Sequence, residues 1–355
     1  MSEEIYDCGI IGAGISGLAA AQHLHEKGVN VAVVEKSRGV GGRAATRRLK
    51  IGLEGEVSIE VPVDHGAQFF TARDMRFQDQ VARWQEKGVC FPWSEGLFVW
   101  RDGELHSPDS EFKETRYACR SGMTSLCKEL AKEIKIIPEF QVASVVFRKD
   151  IWNLHADSLQ NLEPVRARSL IVSAPLPQAV KLVGDYFSSE EHALMDRVKN
   201  SPCIAVMAFY DRSVLLPSWK GIKVQDADSK LSWIGWDSSR RGSDTLGRVA
   251  VLHGSKDFSN HWLTASAEEL RVVGAELLQE AACIAGDWIG RPSGFSVHRW
   301  RYAHLEGPCA PGGFLHATST PSLYLIGDGV NGGRIEGAWL SGVFAAENYL
   351  IKQAR

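Results

Sequence analysis

The first 35 residues place short apolar runs on either side of a glycine-rich turn. Residues 5–11 form an apolar run typical of a buried strand, and residues 18–26 place apolar side chains at helical spacing. A second apolar run follows at residues 29–35. A strand, a helix and a strand within about 30 residues form the unit of a parallel, doubly wound sheet. The chain is therefore predicted to begin with a Rossmann-type α/β domain.

The apolar pattern changes further along the chain. Between residues 203 and 255 it predicts several strands, and a long amphipathic helix follows near residues 267–285, which is typical of a separate antiparallel sheet with a helix. The other predicted elements are a hairpin at 50–63, a helix within 76–115, a helix at 123–133, strands at 134–137, 141–147, 168–172 and 323–326, and a final helix at 337–351.

Length, charge and cysteine spacing narrow the class of protein. A chain of 355 residues exceeds what one hydrophobic core usually organises, which agrees with two domains. Forty basic and forty-three acidic residues give a formal charge of -3, so nucleic acid is not an expected partner. The seven cysteines show no paired or Cys/His spacing, which argues against disulfides and a metal site. The acidic start and the early glycines fit neither a signal peptide nor a spanning helix, so we expect a cytoplasmic protein without membrane contact.

The glycine-rich turn joins the first predicted strand to the first predicted helix. Gly12, Gly14 and Gly17 have GxGxxG spacing in the strand-to-helix context that a dinucleotide-binding turn requires. The first glycine permits the tight turn, the second lets N–H groups approach a pyrophosphate, and the third allows close packing of helix on sheet. Glu35 ends the second strand, where a carboxylate binds ribose hydroxyls. The predicted dinucleotide site includes these residues together with Ile15 and Ser16.

Two further segments favour FAD over NAD, although both share the adenosine diphosphate half that such a turn binds. Residues 35–43, EKSRGVGGR, match the extended signature of flavoproteins in the amine-oxidase superfamily. Residues 323–329, LYLIGDG, resemble the second flavin fingerprint, in which the aspartate, here Asp328, holds the ribityl or phosphate region. The helix predicted to follow would stabilise negative charge at the flavin's pyrimidine edge. No cysteine lies in this motif, so non-covalently bound FAD is the predicted cofactor.

Four segments together resemble the renalase family of FAD-dependent oxidoreductases. They are DHGAQFF at 64–70, SGM at 121–123, HRWRYA at 298–303 and IEGA at 335–338. The resemblance implies a p-hydroxybenzoate-hydroxylase-like fold with the isoalloxazine ring between the two domains. It also implies an activity, the oxidation of 2- or 6-dihydro isomers of NAD(P)H to NAD(P)+, with dioxygen reduced to hydrogen peroxide.

The resemblance also assigns residues to the site. The cofactor-binding residues that it adds are Lys36, Arg38, Gly42, Arg43, Gly66, Ala67, Gln68, Val142, Gly327, Asp328, Ile335 and Ala338, and the catalytic ones are Trp300, His298, Tyr302 and Gln68. Alternate spacing in an extended segment places the side chains of residues 298, 300 and 302 on one face. By residue type alone, Trp300 fits a hydrophobic core equally well, and a lone histidine such as His298 is more often structural.

The predicted architecture is an α/β protein in which a Rossmann-type FAD-binding domain carries an inserted substrate domain with a mixed or antiparallel sheet. Residues 1–75, 117–180 and 296–355 are assigned to the FAD-binding domain, and residues 76–116 and 181–295 to the substrate domain. The expected partners are a nicotinamide dinucleotide and dioxygen, and the protein is expected to be a monomer or a weak oligomer.

Three other functions remain open from the sequence. They are an amine oxidase or a desaturase of the same superfamily, a dehydrogenase of ordinary NAD(P)H, and an FAD-bound sensor or scaffold without turnover. The segment 237–242, DSSRRG, is interpreted as a solvated hairpin turn rather than as a phosphate contact. The preference between NAD and NADP is not predicted.

Overall fold

The computed structural model describes residues 4–52, 58–108, 114–214, 217–242, 247–307, 310, 312–320 and 322–354. The strands are β1 (Ile5–Ile11), β2 (Val31–Val34), β3 (Thr46–Gly52), β4 (Ser58–Asp64), β5 (Phe91–Ser94), β6 (Phe98–Arg101), β7 (Glu104–His106), β8 (Arg116–Ala118), β9 (Lys135–Ile137), β10 (Val142–Arg148), β11 (Ile151–Ala156), β12 (Val165–Val172), β13 (Lys199–Tyr210), β14 (Gly221–Val224), β15 (Leu231–Trp236), β16 (Arg248–Gly254), β17 (Gly294–Glu306), β18 (Leu315–His316) and β19 (Leu323–Leu325). The α-helices are α1 (Ile15–His25), α2 (Met75–Glu86), α3 (Thr124–Leu130), α4 (Leu176–Val183), α5 (Ser189–Met195), α6 (Lys256–His261), α7 (Ala267–Ala285), α8 (Asp328–Asn331) and α9 (Arg334–Gln353).

The first sheet is built around parallel strands. β9, β2, β1 and β12 lie side by side, and β19 pairs in parallel with the end of β12. β10 and β11 extend the sheet as antiparallel strands, and β18 pairs antiparallel with β19. Helices α1, α3 and α9 cover one face with apolar side chains. In such sheets ligands bind outside the carboxyl ends of the parallel strands.

The second sheet has the order β17-β13-β16-β15-β14-β6-β7 and is antiparallel except between β14 and β6. One face packs against α7. The other face carries Met207, Val249 and Val251, which contact Leu49 and Val63 of the β3–β4 hairpin. The hairpin therefore lies against the second sheet, and its last residue, Asp64, leads into the segment 65–70.

The predicted α/β class with a Rossmann-type unit and a mixed sheet is confirmed. The hairpin at 50–63 and the strands within 203–255 are present, and α7 has the predicted bounds. The final helix begins at Arg334 instead of residue 337. Among the described residues, no helix is both long and apolar enough to span a bilayer.

Three segments lie in a different part of the fold from the predicted domain assignment. Residues 181–198, assigned to the substrate domain, pack Val183, Met195 and Val198 into the core of the first sheet. β17 pairs along β13, so residues 296–306 belong to the second sheet, because their backbone hydrogen bonds are made there. The segment 76–116, assigned to the substrate domain, is divided between the two parts of the fold. Its helix α2 packs Phe77, Val81 and Trp84 into the core beneath the first sheet, whereas its strands β6 and β7 join the second sheet. The remaining domain boundaries stay a prediction.

The backbones of α1 and α9 approach each other closely because glycines lie where they cross. A Cβ atom at Gly342 would lie 2.2 Å from the backbone oxygen of Ser16 and 2.9 Å from the backbone nitrogen of Ala20. A Cβ atom at Gly17 would lie 2.1 Å from the backbone oxygen of Gly12. The glycine-rich turn is thus held between β1 and two helices by backbone packing.

Replacing Gly342 with alanine is expected to destabilise the protein, because α9 must move away from α1 to admit the methyl group. Overpacking of this kind costs about 1–3 kcal/mol, so we expect a lower urea midpoint at an unchanged slope. Gly294→Ala is the matched control, since nothing lies within 4 Å of a Cβ atom at that position. Equal midpoints for the two variants would contradict the close approach of the helices.

Candidate active site

The carboxyl end of β1 leads into an open backbone cradle at the start of α1. Gly12 has a φ of 104°, which favours glycine, and a Cβ atom at Gly14 would meet nothing within 4 Å. The helix begins at Ile15, no side chain caps its N-terminus, and its first turn contains no acidic residue. An uncapped N-terminus beside open space is a ready site for a phosphate group.

Glu35 lies at the carboxyl end of β2 and organises the loops around the cradle. Its carboxylate is buried and accepts hydrogen bonds from the backbone N–H of Ala13 at 2.8 Å and of Ser37 at 2.9 Å. Each carboxylate oxygen keeps a second lone pair for a ribose hydroxyl. Glu35 therefore connects the first turn to the loop after β2.

The loop after β2 continues toward the start of β10. The Glu139 N–H donates to the backbone oxygen of Ser37, and the Phe140 N–H donates to the backbone oxygen of Glu35. Val142 follows at the start of β10 and is half-buried. The predicted adenine-side residues therefore lie near one another, with Lys36 and Arg38 exposed beside them.

The segment of Gly41, Gly42 and Arg43 packs onto the glycine-rich turn. The Gly41 N–H donates to the Ala13 oxygen at 2.9 Å, and a Cβ atom at Gly42 would lie 3.4 Å from the Gly14 Cα. This packing places Arg43 beside the open cradle. The glycine-rich turn and the segment at 41–43, which are separated by residues 18–40 in the sequence, thus form one surface.

Arg43 and Asp328 form an ion pair although they are 285 residues apart. The Arg43 Nη2 lies 2.5 Å from the Asp328 Oδ1, and its Nη1 donates to the Tyr302 backbone oxygen at 3.3 Å. The arginine side chain is 31% exposed and the aspartate side chain 15%, so both can reach a ligand. The two flavin signatures predicted from the sequence therefore meet at one point.

The C-terminal signature continues from Asp328 into α8 and α9. The Gly327 N–H donates to the Ser341 Oγ at 2.9 Å, which ties the end of β19 to α9. The N-terminus of α9 follows Gly333, has no side-chain cap, and brings Ile335 and Ala338 into its first turns. Ile335 is buried, and Ala338 packs partly buried against the same core.

Three rings form a wall beside the flavin signatures. The rings of His65, His298 and Trp300 have centroid separations of 4.5–4.9 Å, and the Trp300 Nε1 donates to the His65 backbone oxygen at 3.0 Å. A Cβ atom at Gly66 would lie 2.1 Å from the Arg43 oxygen and 3.3 Å from the Trp300 ring. We call the side chains of His65, His298 and Trp300 the ring wall. Because residue 66 is a glycine, the ring wall can lie close to Arg43.

The imidazoles of the ring wall are weak bases. Burial, the neighbouring His298 and the Arg47 guanidinium lower the pKa of His65 to about 3. Burial, Arg47 and Arg299 also lower the pKa of His298. The wall is therefore uncharged near neutral pH and offers stacking surfaces instead of a strong base.

Tyr302 departs from the predicted arrangement of residues 298, 300 and 302. His298 and Trp300 are in contact, as their spacing predicts, but the pairing of β13 with β17 shifts register between Ser201 and Cys203. Strict alternation ends at this irregularity, and no ring contact found among the described residues includes Tyr302. Its backbone oxygen accepts the hydrogen bond from the Arg43 Nη1.

The interpretation of residues 237–242 as a solvated turn is wrong. The side chains of Arg240 and Arg241 are 1% and 2% exposed and form ion pairs with the buried carboxylates of Asp64 and Asp237. The reason is that β16 and the 64–68 segment enclose this turn. Pairing with these carboxylates also removes both arginines from contact with substrate phosphates.

Ser173 belongs to the site although no sequence motif includes it. Its Oγ lies 2.7 Å from the Ser16 Oγ, and its N–H donates to the Ile11 oxygen. The end of β12 is thereby fixed against the glycine-rich turn. The sequence contains one indication of this role. Residues 173–175, Ser-Ala-Pro, directly follow the strand predicted at 168–172, and parallel strands of such sheets end at the edge where ligands bind.

Comparison with known families agrees with this geometry. A model of the NAD(P)-binding Rossmann-like domain matches residues 10–84, and a model described as flavin-containing amine oxidoreductase matches residues 85–350. The chain belongs to the flavin-containing amine oxidoreductase family. It is therefore a flavin-dependent oxidoreductase, and the open cradle at Gly14, the buried Glu35 and the exposed edge of Arg43 fit the dinucleotide half of a flavin cofactor.

Curated relatives match the chain over short segments. Lysine-specific histone demethylase 1 homolog 3 of Arabidopsis thaliana is 45% identical over 62 residues, which cover 18% of this chain and 3% of that protein. Amine oxidase B of Homo sapiens is 52% identical over 42 residues, which cover 12% of this chain and 8% of that protein. These matches therefore cover only a small part of each relative.

Solved structures match over nearly the whole chain at low identity. A proposed protoporphyrinogen oxidase from Exiguobacterium has a TM-score of 0.73 at 16% identity, and the alignment covers 99% of this chain and 100% of that one. Cyclohexylamine oxidase from Brevibacterium oxydans has a TM-score of 0.70 at 15% identity, with 99% and 100% covered. These likenesses support the fold.

Replacing Glu35 with alanine is expected to reduce flavin content, because the variant loses the ribose acceptor and the link between Ala13 and Ser37. Hydrogen bonds to charged groups contribute about 1.5–3 kcal/mol each, so flavin affinity should fall about tenfold or more. The measurement is the ratio of flavin to protein absorbance after gel filtration. Glu104→Ala, at an exposed position in β7, serves as the control, and equal flavin content in both variants would refute the assignment.

Proposed function

We propose that the protein is a renalase-type oxidoreductase that binds FAD non-covalently and oxidises 2- or 6-dihydro isomers of NAD(P)H. The reaction takes a hydride from the dihydropyridine and yields the aromatic pyridinium of NAD(P)+. Dioxygen finally takes up the hydride, which carries both electrons, together with one proton from solvent, and the product is hydrogen peroxide. FAD, when bound, supplies the two-electron acceptor between substrate and dioxygen.

The signatures support FAD as the dinucleotide. The adenosine half would lie along Glu35, Val142 and the glycine-rich turn, with its phosphates at the uncapped start of α1. Arg43 and Asp328 would bind the phosphate and ribityl region, and the Gly66–Gln68 segment would lie beside the isoalloxazine. The first turn of α9 would face the pyrimidine edge, where the positive end of the helix favours negative charge. The carboxylate of Glu336 in this turn accepts hydrogen bonds from the Arg73 and Asp74 N–H groups instead.

The neutral ring wall is the observation that carries the choice of substrate. Oxidation of an amine at neutral pH requires loss of a proton from the ammonium form, and an imidazole with a pKa of about 3 is a poor acceptor for it. Oxidation of a dihydropyridine requires no base, because the product is already an aromatic cation. Stacking on Trp300 and exclusion of water suffice to orient such a ring.

The proposal is tested by mixing the FAD-loaded protein anaerobically with 2- and 6-dihydro-NAD(P), ordinary NAD(P)H and simple amines in a stopped-flow instrument. Rapid bleaching of the flavin band by the isomers alone, reversed by air, is the expected result. Bleaching by amines alone would assign the protein to the amine oxidases. Bleaching by ordinary NAD(P)H would make it a dehydrogenase, and no bleaching at all would indicate a sensor or scaffold.

The rate of flavin reduction by the isomers is expected to be independent of pH between about pH 6.5 and pH 8. The reason is that a group with a lowered pKa remains neutral above that pKa, and the pKa values of His65 and His298 are both lowered. Stopped-flow measurements across this range provide the test. A rate that falls as the pH is lowered from about 8 to about 6.5, and that no longer does so in His298→Gln, would show instead that His298 titrates in this range.

A further inference from the structure

Two carboxylates and two guanidinium groups form a buried cluster behind the Gly66–Gln68 segment. The cluster consists of Asp64, Asp237, Arg240 and Arg241, whose side chains are at most 2% exposed. Asp64 ends β4, whereas the other three residues follow β15. The cluster therefore joins the hairpin to the second sheet, and none of its members belongs to the flavin signatures.

The two arginines of the cluster have different partners. Arg241 donates to the Asp64 Oδ2 at 2.7 Å, to the Asp237 Oδ1 at 2.9 Å and to the Cys119 backbone oxygen at 3.0 Å. Arg240 donates to the Asp237 Oδ1 at 2.6 Å, to the Gln68 Oε1 at 3.0 Å and to the Gln68 backbone oxygen. Of the two arginines, Arg240 is thus the one that forms hydrogen bonds with Gln68.

These hydrogen bonds give the Gln68 amide a single orientation. Its Oε1 accepts from the Arg240 Nη2 and from the Trp233 Nε1 at 3.4 Å, while its Nε2 donates to the backbone oxygens of Asp64 and Gly66. A rotated amide would place its donors against the guanidinium and the indole N–H, and its oxygen against two carbonyls. The amide therefore has its hydrogen bonds made within the protein, and its predicted catalytic role becomes a structural one.

The Gly66–Gln68 segment contacts Arg240 at its Gln68 end and the flavin signature residue Arg43 at its other end. The Ala67 N–H donates to the Arg43 backbone oxygen at 3.0 Å, and a Cβ atom at Gly66 would lie 2.1 Å from that oxygen and 3.3 Å from the Trp300 ring. Gly66–Gln68 is thus clamped between Arg43 on one side and Arg240 on the other. A shift of the Gln68 end would be passed to Gly66 through the hydrogen bond between the Gln68 Nε2 and the Gly66 oxygen.

We propose that Arg240 is a positioning residue for the reaction, whose planar guanidinium fixes the Gln68 amide and thereby the Gly66–Gln68 backbone. The inference rests on the proposed function in one respect, the placement of this segment beside the isoalloxazine. Two parallel hydrogen bonds to one residue require the fork of an arginine, because a lysine ammonium is a point charge without that geometry.

The test compares Arg240→Lys with Arg241→Lys in the flavin-loaded protein. Both variants keep the charge of the cluster and remove one guanidinium fork, so both should lower thermal stability. Only Arg240→Lys is expected to alter the visible circular dichroism of the bound flavin and to slow flavin reduction by the preferred substrate about tenfold or more, at unchanged flavin content. Asp64 keeps its hydrogen bonds from the Thr46 Oγ1 and the Met123 N–H when Arg241 is replaced.

Gln68→Leu provides a second route if Arg240→Lys does not fold. It should change the dichroism in the same direction, since it removes the amide contact with Arg240 and leaves the hydrogen bond from Arg240 to the Gln68 backbone oxygen. Where both single variants fold, the variant that carries both substitutions should change the spectrum by less than the sum of the two single changes, because they share the amide contact. An identical spectral change in Arg241→Lys, or an unchanged spectrum in Arg240→Lys and Gln68→Leu, would overturn the proposal. The dichroism requires no substrate, so a spectral change without reaction toward dihydronicotinamides would reject the proposed function and retain the positioning role.

Discussion

The buried carboxylates of Asp64 and Asp237 fix how the two sheets meet. A carboxylate out of water is tolerated only when it is paired and hydrogen-bonded, and removing one partner of a buried pair costs about 3–5 kcal/mol. Asp64 meets this requirement with Arg241, Thr46 and the Met123 N–H, and the Asp64 N–H in turn donates to the Asp237 Oδ1. The end of β4 is therefore tied to the turn after β15, and the chain from His65 onward enters the site in one direction.

Backbone proximity forms the dinucleotide side of the site. Gly17 and Gly342 bring α1 against β1 and α9, while Gly42 brings the arginine loop against the turn. With the backbone packed this closely, Arg43 reaches Asp328 across 285 residues of sequence. The polar groups around the glycine-rich turn are thus positioned by close backbone packing together with the side-chain hydrogen bonds of Glu35 and Ser341.

The ring wall of His65, His298 and Trp300 contributes aromatic surface and little charge to the site. Its rings come from the segment after β4 and from β17, so both parts of the fold supply it. Burial between these parts lowers the pKa of His65 and His298 and keeps their imidazoles neutral. A site with paired charges behind it and neutral rings in front suits chemistry in which the cofactor accepts the electrons and the protein orients the substrate.

The sequence by itself determined the Rossmann-type unit, the flavin signatures and most strands, because these depend on local patterns of apolar residues and glycines. Gly12, Gly14, Gly17 and Glu35 have their roles within one β-α-β unit, so their spacing carries the information. Tertiary structure alone decided three other features: the side of the fold that β17 joins, the end of alternation before Tyr302, and the burial of Arg240 and Arg241. Each depends on partners that are far away in the chain. The run DSSRRG alone predicts a polar turn, and the ion pairs that bury its arginines require Asp64, which only the tertiary structure brings beside them.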